Sequence, residues 1–337
     1  MEEWADVGGC GGKIGPDALC RILSAANRGP TDIAQFRDSE TIALSEATGR
    51  LVTSVDLVYD LGLDGWDLGF VAVVHGLSDL YAALARPVSA SLAVGLRRSS
   101  VDGPRAGEIL SGARAALHEA DVAFGGGHSV YAGTDFVSVA AVGSSESSLR
   151  FDQRCRKKYE ILLSKPLGSG VLLAALKTGV LEPDVTELLR GHLRASNRLA
   201  ADELCDVGAR DEIAFVTDVS GFGLGISILS NVCSGWTAHI DCGHLPLIAG
   251  VKDTLHQGIV TVLGDQNLMV LQESSSCHVN DVSIEDLVLA ADPQTSGGLL
   301  AAVGTGCAES LIKSGRWTWI GALRPASDLG TRLVLVN

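Results

Sequence analysis

Aromatic residues are scarce in this chain, at 5% of 337 residues, and cations are outnumbered, with 26 Lys and Arg against 40 Asp and Glu. The resulting net charge of −14 argues against binding to nucleic acid or an anionic membrane, because both depend on cationic side chains that neutralise phosphates. Phosphate ligands remain open, since carboxylates reach phosphate oxygens through a bound metal ion. No run of about 18 apolar residues occurs, so no transmembrane helix is expected. The opening Met1-Glu2-Glu3-Trp4 has neither the basic nor the apolar stretch of a secretory leader. The eight cysteines include no C-x-x-C pair and are spread over a chain too long to need disulfide staples. Reduced thiols and a cytoplasmic location are the expectation. Cys233, His239, Cys242 and His244 have the atoms for a zinc site. The segment between them alternates like a strand, however, which sends neighbouring side chains to opposite faces and argues against zinc.

Hydrophobic residues at 46% and charged residues at 20% give enough apolar surface for a full core. Glycine is abundant, 40 of 337, or about 12% against a usual ~7%, so the core is built from aliphatic side chains with many tight turns. The length suggests two domains. Strand patterns at 40–44, 51–58, 88–97, 121–124 and 135–142 alternate with helical patterns at 67–84 and 103–119. A second alternation begins at 159–164 and includes helices near 170–200, a strand at 213–217, a helix at 222–231, a strand at 236–241 and a terminal group near 298–335. The Ser- and Gly-rich stretch from Gly143, followed by the basic run Arg154–Lys158, marks a crossing between halves. Mixed elements in both halves mean an α/β or α+β protein.

Four polar, glycine-flanked segments stand outside this periodicity. The first, Gly8-Gly9-Cys10-Gly11-Gly12-Lys13, is not a Walker A loop, because Ile14 follows the lysine. It places a thiol beside an ammonium, which favours thiolate. The second is a set of carboxylates at strand ends and helix starts: Asp38 with Glu40, Asp56, Asp79 and Asp218. Each alone reads as a helix N-cap; three or four converging would make the hard oxygen site that Mg²⁺ uses on phosphates. The third is Gly125-Gly126-Gly127-His128-Ser129, a loop whose amides could wrap an oxyanion. The fourth is Asp292-Pro293-Gln294-Thr295-Ser296-Gly297-Gly298.

In their order and spacing these segments, together with Thr53–Asp56, Leu77–Ala82, Ser164-Lys165-Pro166-Leu167-Gly168 and Thr217–Gly223, resemble the selenophosphate synthetases, or selenide, water dikinases. The resemblance runs from Gly8 nearly to the C-terminus. It implies the fold shared with aminoimidazole ribonucleotide synthetase, thiamine-phosphate kinase and a hydrogenase maturation protein. That means a flexible arm (1–15), an N-terminal domain (16–152) binding ATP and Mg²⁺, and a C-terminal α/β domain (153–337). It also implies a homodimer whose N-terminal sheets pair into a barrel. The implied reaction takes ATP, selenide and water to selenophosphate, AMP and phosphate. Carried over by position, Cys10 and Lys13 are the catalytic pair. Arg37, Asp38, Asp56, Asp79, Gly126, Gly127, His128 and Ser129 contact ATP alongside Lys13, and Asp38, Asp56, Asp79 and Asp218 hold metal. The Gly-Gly-His-Ser segment is expected to reach the nucleotide of the dimer partner. Some positions depart from the family pattern: Arg37-Asp38-Ser39-Glu40 keeps one of two adjacent aspartates, so Asp38 or Glu40 supplies that ligand, and His75 stands where Asn is usual. The alternatives are a relative that phosphorylates another small substrate, and a paralogue that retains nucleotide binding as a non-catalytic regulator.

Overall fold

The computed structural model describes residues 39–43, 50–145, 158–207, 212–327 and 330–337. Two sheets organise the chain. The first joins β1 (Ser39–Ala43), β2 (Arg50–Tyr59), β3 (Arg86–Leu96), β4 (Ala123–Tyr131) and β5 (Phe136–Ser145) in the order β1-β2-β5-β3-β4. Its pairings are antiparallel except β3 with β4. The helices among these strands include α1 (Gly65–Gly76), α2 (Ser78–Ala82) and α3 (Arg105–Glu119). On β2 the inward-facing Val52, Ser54 and Val58 are buried while Val55 is 68% exposed, the two-residue period of a strand with one covered face.

The helical pattern expected as one piece over 67–84 is split at Gly76–Leu77. There the helix lies so close to β5 that a Cβ on Gly76 would stand 2.7 Å from the Cβ of Val139. The Gly-rich loop expected at 125–129 is instead the middle of β4. Parallel pairing with β3 runs up to Phe124 and resumes at Gly127, and the register shift between Ala90 and Leu92 leaves Gly125 and Gly126, the latter at φ +91°, as a bulge.

The second sheet has β6 (Tyr159–Leu163), β7 (Ile213–Asp218), β8 (Trp236–Asp241), β9 (Cys277–Asn280), β10 (Leu299–Gly304), β11 (Thr318–Pro325) and β12 (Leu333–Val336). Their order is β7-β10-β6-β11-β8-β12-β9. Between β6 and β7 run α4 (Ser169–Thr178), α5 (Pro183–Arg194) and α6 (Arg198–Asp206); α7 (Gly223–Asn231) follows β7. Every residue of β6 and β10 is buried. The alternate residues Leu299, Ala301 and Val303 join the core that holds α1, α3 and the first sheet, whereas Leu300 and Ala302 join a second core with α7. One apolar interior therefore runs from the first sheet through to the second. Charge reinforces it: Asp67 of α1, with no exposed surface, is paired with Arg190 and Arg194 of α5, and the Arg194 guanidinium stacks 4.5 Å over Trp66. Among the described residues no helix is long and apolar enough to cross a membrane.

Helices α1 and α3 touch through glycine. A Cβ on Gly112 would fall 1.9 Å from the carbonyl oxygen of Trp66, and one on Gly69 1.8 Å from that of Ile109. Gly112→Ala is expected to lose about 1–3 kcal/mol, since neither backbone can yield without separating the helices. Gly107→Ala, on the same helix with nothing within 4 Å, should gain up to ~1 kcal/mol from helix propensity. Urea unfolding of the two variants checks the opposite signs.

Candidate functional site

The site forms where the helix-facing side of the first sheet meets the second half of the chain. Asp56 lies on that side of β2, in step with Ser54, and its side chain is 16% exposed. Ser54 donates its hydroxyl hydrogen to Oδ2 of Asp79, which is buried in the first turn of α2. That helix has Leu77 at its N-cap and no side-chain cap, so the capping role open to Asp79 on sequence grounds is not what it performs. Asp218 likewise caps nothing: α7 begins five residues on, with Phe222 at its N-cap. Asp218 ends β7, buried, with Leu299 opposite.

Between these carboxylates run groups from the C-terminal half. His75 of α1 accepts a hydrogen bond at Nδ1 from the Ser296 N–H (3.3 Å), and its Nε2 stands 4.0 Å from Oδ2 of Asp56. The Asn197 amide nitrogen donates to the Gly297 carbonyl (2.8 Å) and the Ser78 hydroxyl (2.9 Å). Lys165 donates through Nζ to the carbonyls of Ala195 and Ser296, each at 2.6 Å. Burial pulls the Lys165 ammonium down to about 7, and the nearby Asp218 carboxylate opposes that shift. Beside it His192 is pushed down to about 3, by burial first and by Lys165 second.

The segment 292–298 is a buried turn. Gln294 accepts at Oε1 from the backbone N–H groups of Gly168 and Ser169 and from the Ser169 hydroxyl, and donates to Asp292. Burial raises Asp292 to about 7, with hydrogen bonds from Val171 and Gln294 opposing. The sequence motifs at 164–168 and 292–298 thus meet in space, which their spacing of more than a hundred residues does not disclose. The bridging parts of His75, Asn197 and Lys165 went unread as site residues. Their signals were present only as a histidine in an asparagine position, an ordinary helix-start asparagine and the lysine of the Ser-Lys-Pro motif.

Other expected residues fall elsewhere. Gly126, Gly127, His128 and Ser129 lie on the exposed edge strand β4. Asp56, Val139, Leu92 and Gly127 share one row across the sheet, so three strand spacings separate this segment from Asp56 by about 14 Å. Cys10, Lys13, Arg37 and Asp38 lie outside the described residues. Among the described residues no three His, Cys, Asp or Glu side chains form a metal-holding group, so Asp56, Asp79 and Asp218 do not by themselves close one. The strand expected at 236–241 is present as β8; beyond it His244 pairs with Asp241 at 2.9 Å, and burial lifts the Cys242 thiol to about 12.

Comparison with known proteins bears on this arrangement. Residues 37–145 match the family model of the AIR synthase related protein, N-terminal domain. A selenide, water dikinase of Bordetella bronchiseptica is 30% identical over 324 residues, covering 94% of this chain and 92% of that protein. Thiamine monophosphate kinase from Aquifex aeolicus superposes with a TM-score of 0.65 at 14% identity, over 94% of this chain and 95% of its own. The hydrogenase maturation protein HypE in complex with ATP gives 0.62 at 17% identity, over 94% and 91%. The chain has the fold of these proteins.

Asp292 provides a pH test. Its folded value is about 7 against an ordinary 3.8, so the folded state keeps a proton that the unfolded chain releases. The associated stability is complete below about 4 and is lost as pH rises through 7. Asp292→Asn, which cannot ionise, should therefore gain stability relative to wild type between pH 5 and 7.5. Denaturant midpoints across that range should diverge, and parallel curves would show a carboxyl of ordinary acidity.

Proposed function

The chain belongs to the selenide, water dikinase family, and from that premise we propose that it converts ATP, selenide and water into selenophosphate, AMP and phosphate. The observation that carries this reading is the pair Asp56 and Asp79. Ser54, two residues before Asp56 on β2, donates to Asp79, and His75 stands 4.0 Å from Asp56 on the face that meets the buried turn. Two hard oxygen donors near one another suit Mg²⁺, whose remaining positions are filled by phosphate oxygens and water. Asp56 and Asp79 are oxygen donors of the kind that ion takes and would hold it, and the resemblance adds Asp38 or Glu40 and Asp218 as further ligands. When bound, Mg²⁺ neutralises charge on the transferring phosphates.

The chain's own groups supply the rest. Lys13 lies against the phosphates as a point charge and Cys10 offers a thiolate to selenium. A second copy contributes the His128 segment. Its distance of about 14 Å from Asp56 along the same sheet supports service to a neighbouring site, and the exposed Val55, Phe124, Val130 and Tyr131 supply apolar surface for pairing the sheets. Kinase activity on another small substrate is the second reading, favoured by the shared fold with thiamine monophosphate kinase.

Anaerobic assay of AMP release from ATP, with and without selenide, separates the two: selenide-dependent AMP is expected, and ADP from another acceptor would favour the second. Asp79→Asn should raise the Mg²⁺ requirement at least ~10-fold with little change in melting temperature, since the amide oxygen still accepts from Ser54. Cys10→Ser should keep Mg²⁺-dependent ATP binding and lose selenophosphate formation, because a hydroxyl cannot replace a thiolate. Lys13→Ala should slow ATP turnover with or without selenide. Sedimentation should give a dimer for wild type and a monomer for Val55→Asp.

A further inference from the structure

Ser296 occupies a position that the surrounding structure must enforce. It is a non-glycine residue at φ +52°, 1% exposed, and such backbone persists only where neighbours over-determine it. Its N–H is taken by Nδ1 of His75 and its carbonyl by Lys165, while the next carbonyl, of Gly297, is taken by Asn197. Because Nδ1 accepts, the ring proton of neutral His75 sits on Nε2, the nitrogen 4.0 Å from the Asp56 carboxylate. Asn197 meanwhile holds the hydroxyl of Ser78, the residue before Asp79. Two consecutive residues of the C-terminal half are therefore tied to the neighbours of both candidate metal carboxylates, Ser296 to His75 beside Asp56 and Gly297, through Asn197, to Ser78 beside Asp79.

We propose that His75 is a positioning residue: it fixes the Asp56 carboxylate by tying α1 to the Ser296 turn, and Asn197 does the same for the start of the helix that carries Asp79. The turn thereby sets the spacing between the two carboxylates, and a metal held between them depends on the second half of the chain without being touched by His75. This rests on the Mg²⁺ reading above. A histidine that merely filled the core would contribute volume, and any side chain of similar size would replace it.

The test uses three variants of the full chain. His75→Leu keeps the volume and removes both ring nitrogens; His75→Ala removes volume as well; His75→Asn restores an acceptor for the Ser296 N–H and a donor on the same amide. The first readout is hydrogen exchange of the 292–300 segment with no metal or nucleotide present. The second is the Mg²⁺ concentration needed for half of the ATP-induced rise in melting temperature. His75→Leu should speed exchange at the Ser296 amide and raise the Mg²⁺ requirement about tenfold, the scale of effects from residues that orient metal ligands. His75→Asn should recover most of both, and His75→Ala should match His75→Leu at a lower melting temperature. Unchanged exchange in His75→Leu overturns the tether. Faster exchange with an unchanged Mg²⁺ requirement overturns the positioning role, as does an Asn variant no better than Leu. If wild type shows no Mg²⁺-dependent ATP binding, the Mg²⁺ reading falls and the positioning role with it, and the exchange data still report on the tether separately.

Discussion

The buried turn from Asp292 to Gly298 is the constraint on which the rest of the site depends. All seven residues are buried, so their polar groups cannot turn to water, and each one left unpaired would cost about 1–3 kcal/mol. The partners of the turn's backbone groups come from both halves of the chain: His75 from the first, and Lys165, Ser169 and Asn197 from the second. Apolar burial gives the two sheets a common interior, but it is non-directional and roughly proportional to area. Hydrogen bonds with defined donors and acceptors choose one arrangement among those that bury similar area.

Charge follows the same geometry. The chain has an excess of acid, and some of its cations meet carboxylates of the other half. Arg190 and Arg194 reach the buried Asp67. Removal of one partner from such a cluster leaves an uncompensated charge, which is worth more than the net contribution of the intact pair. Lys165 sits between two carbonyls with Asp218 as its electrostatic counterweight. Both devices lie on the side of the first sheet that carries Asp56 and Asp79, so the contact between the halves and the candidate site are one feature of the fold.

Much of this was legible beforehand. Alternation along 51–58 placed Asp56 and Ser54 on one face, and the helix after it was plain from its apolar spacing. Where the reading went astray, a tertiary contact had overruled a local signal. Glycines at 125–127 are turn formers by preference, yet they form a bulge within an edge strand that pairs with β3 on both sides of it. The long helical pattern is divided after Gly76, where the helix packs close against β5. Asp79 has the residue type and position of a cap, and only the approach of Ser54 from another strand shows its actual partner.

The sequence by itself determined the elements, the family and the identity of the carboxylates, because these depend on side-chain period, backbone freedom at glycine, and residue chemistry, all of which are local. The tertiary structure alone decided which side chains surround Asp56 and Asp79, that the glycine-rich segment stands apart from them, and that Ser296 and Gly297 hold the N-terminal helices. Those outcomes depend on contacts between residues more than a hundred positions apart, such as His75 with Ser296 and Asn197 with Ser78, and no local pattern encodes the distance between two side chains that only folding brings together.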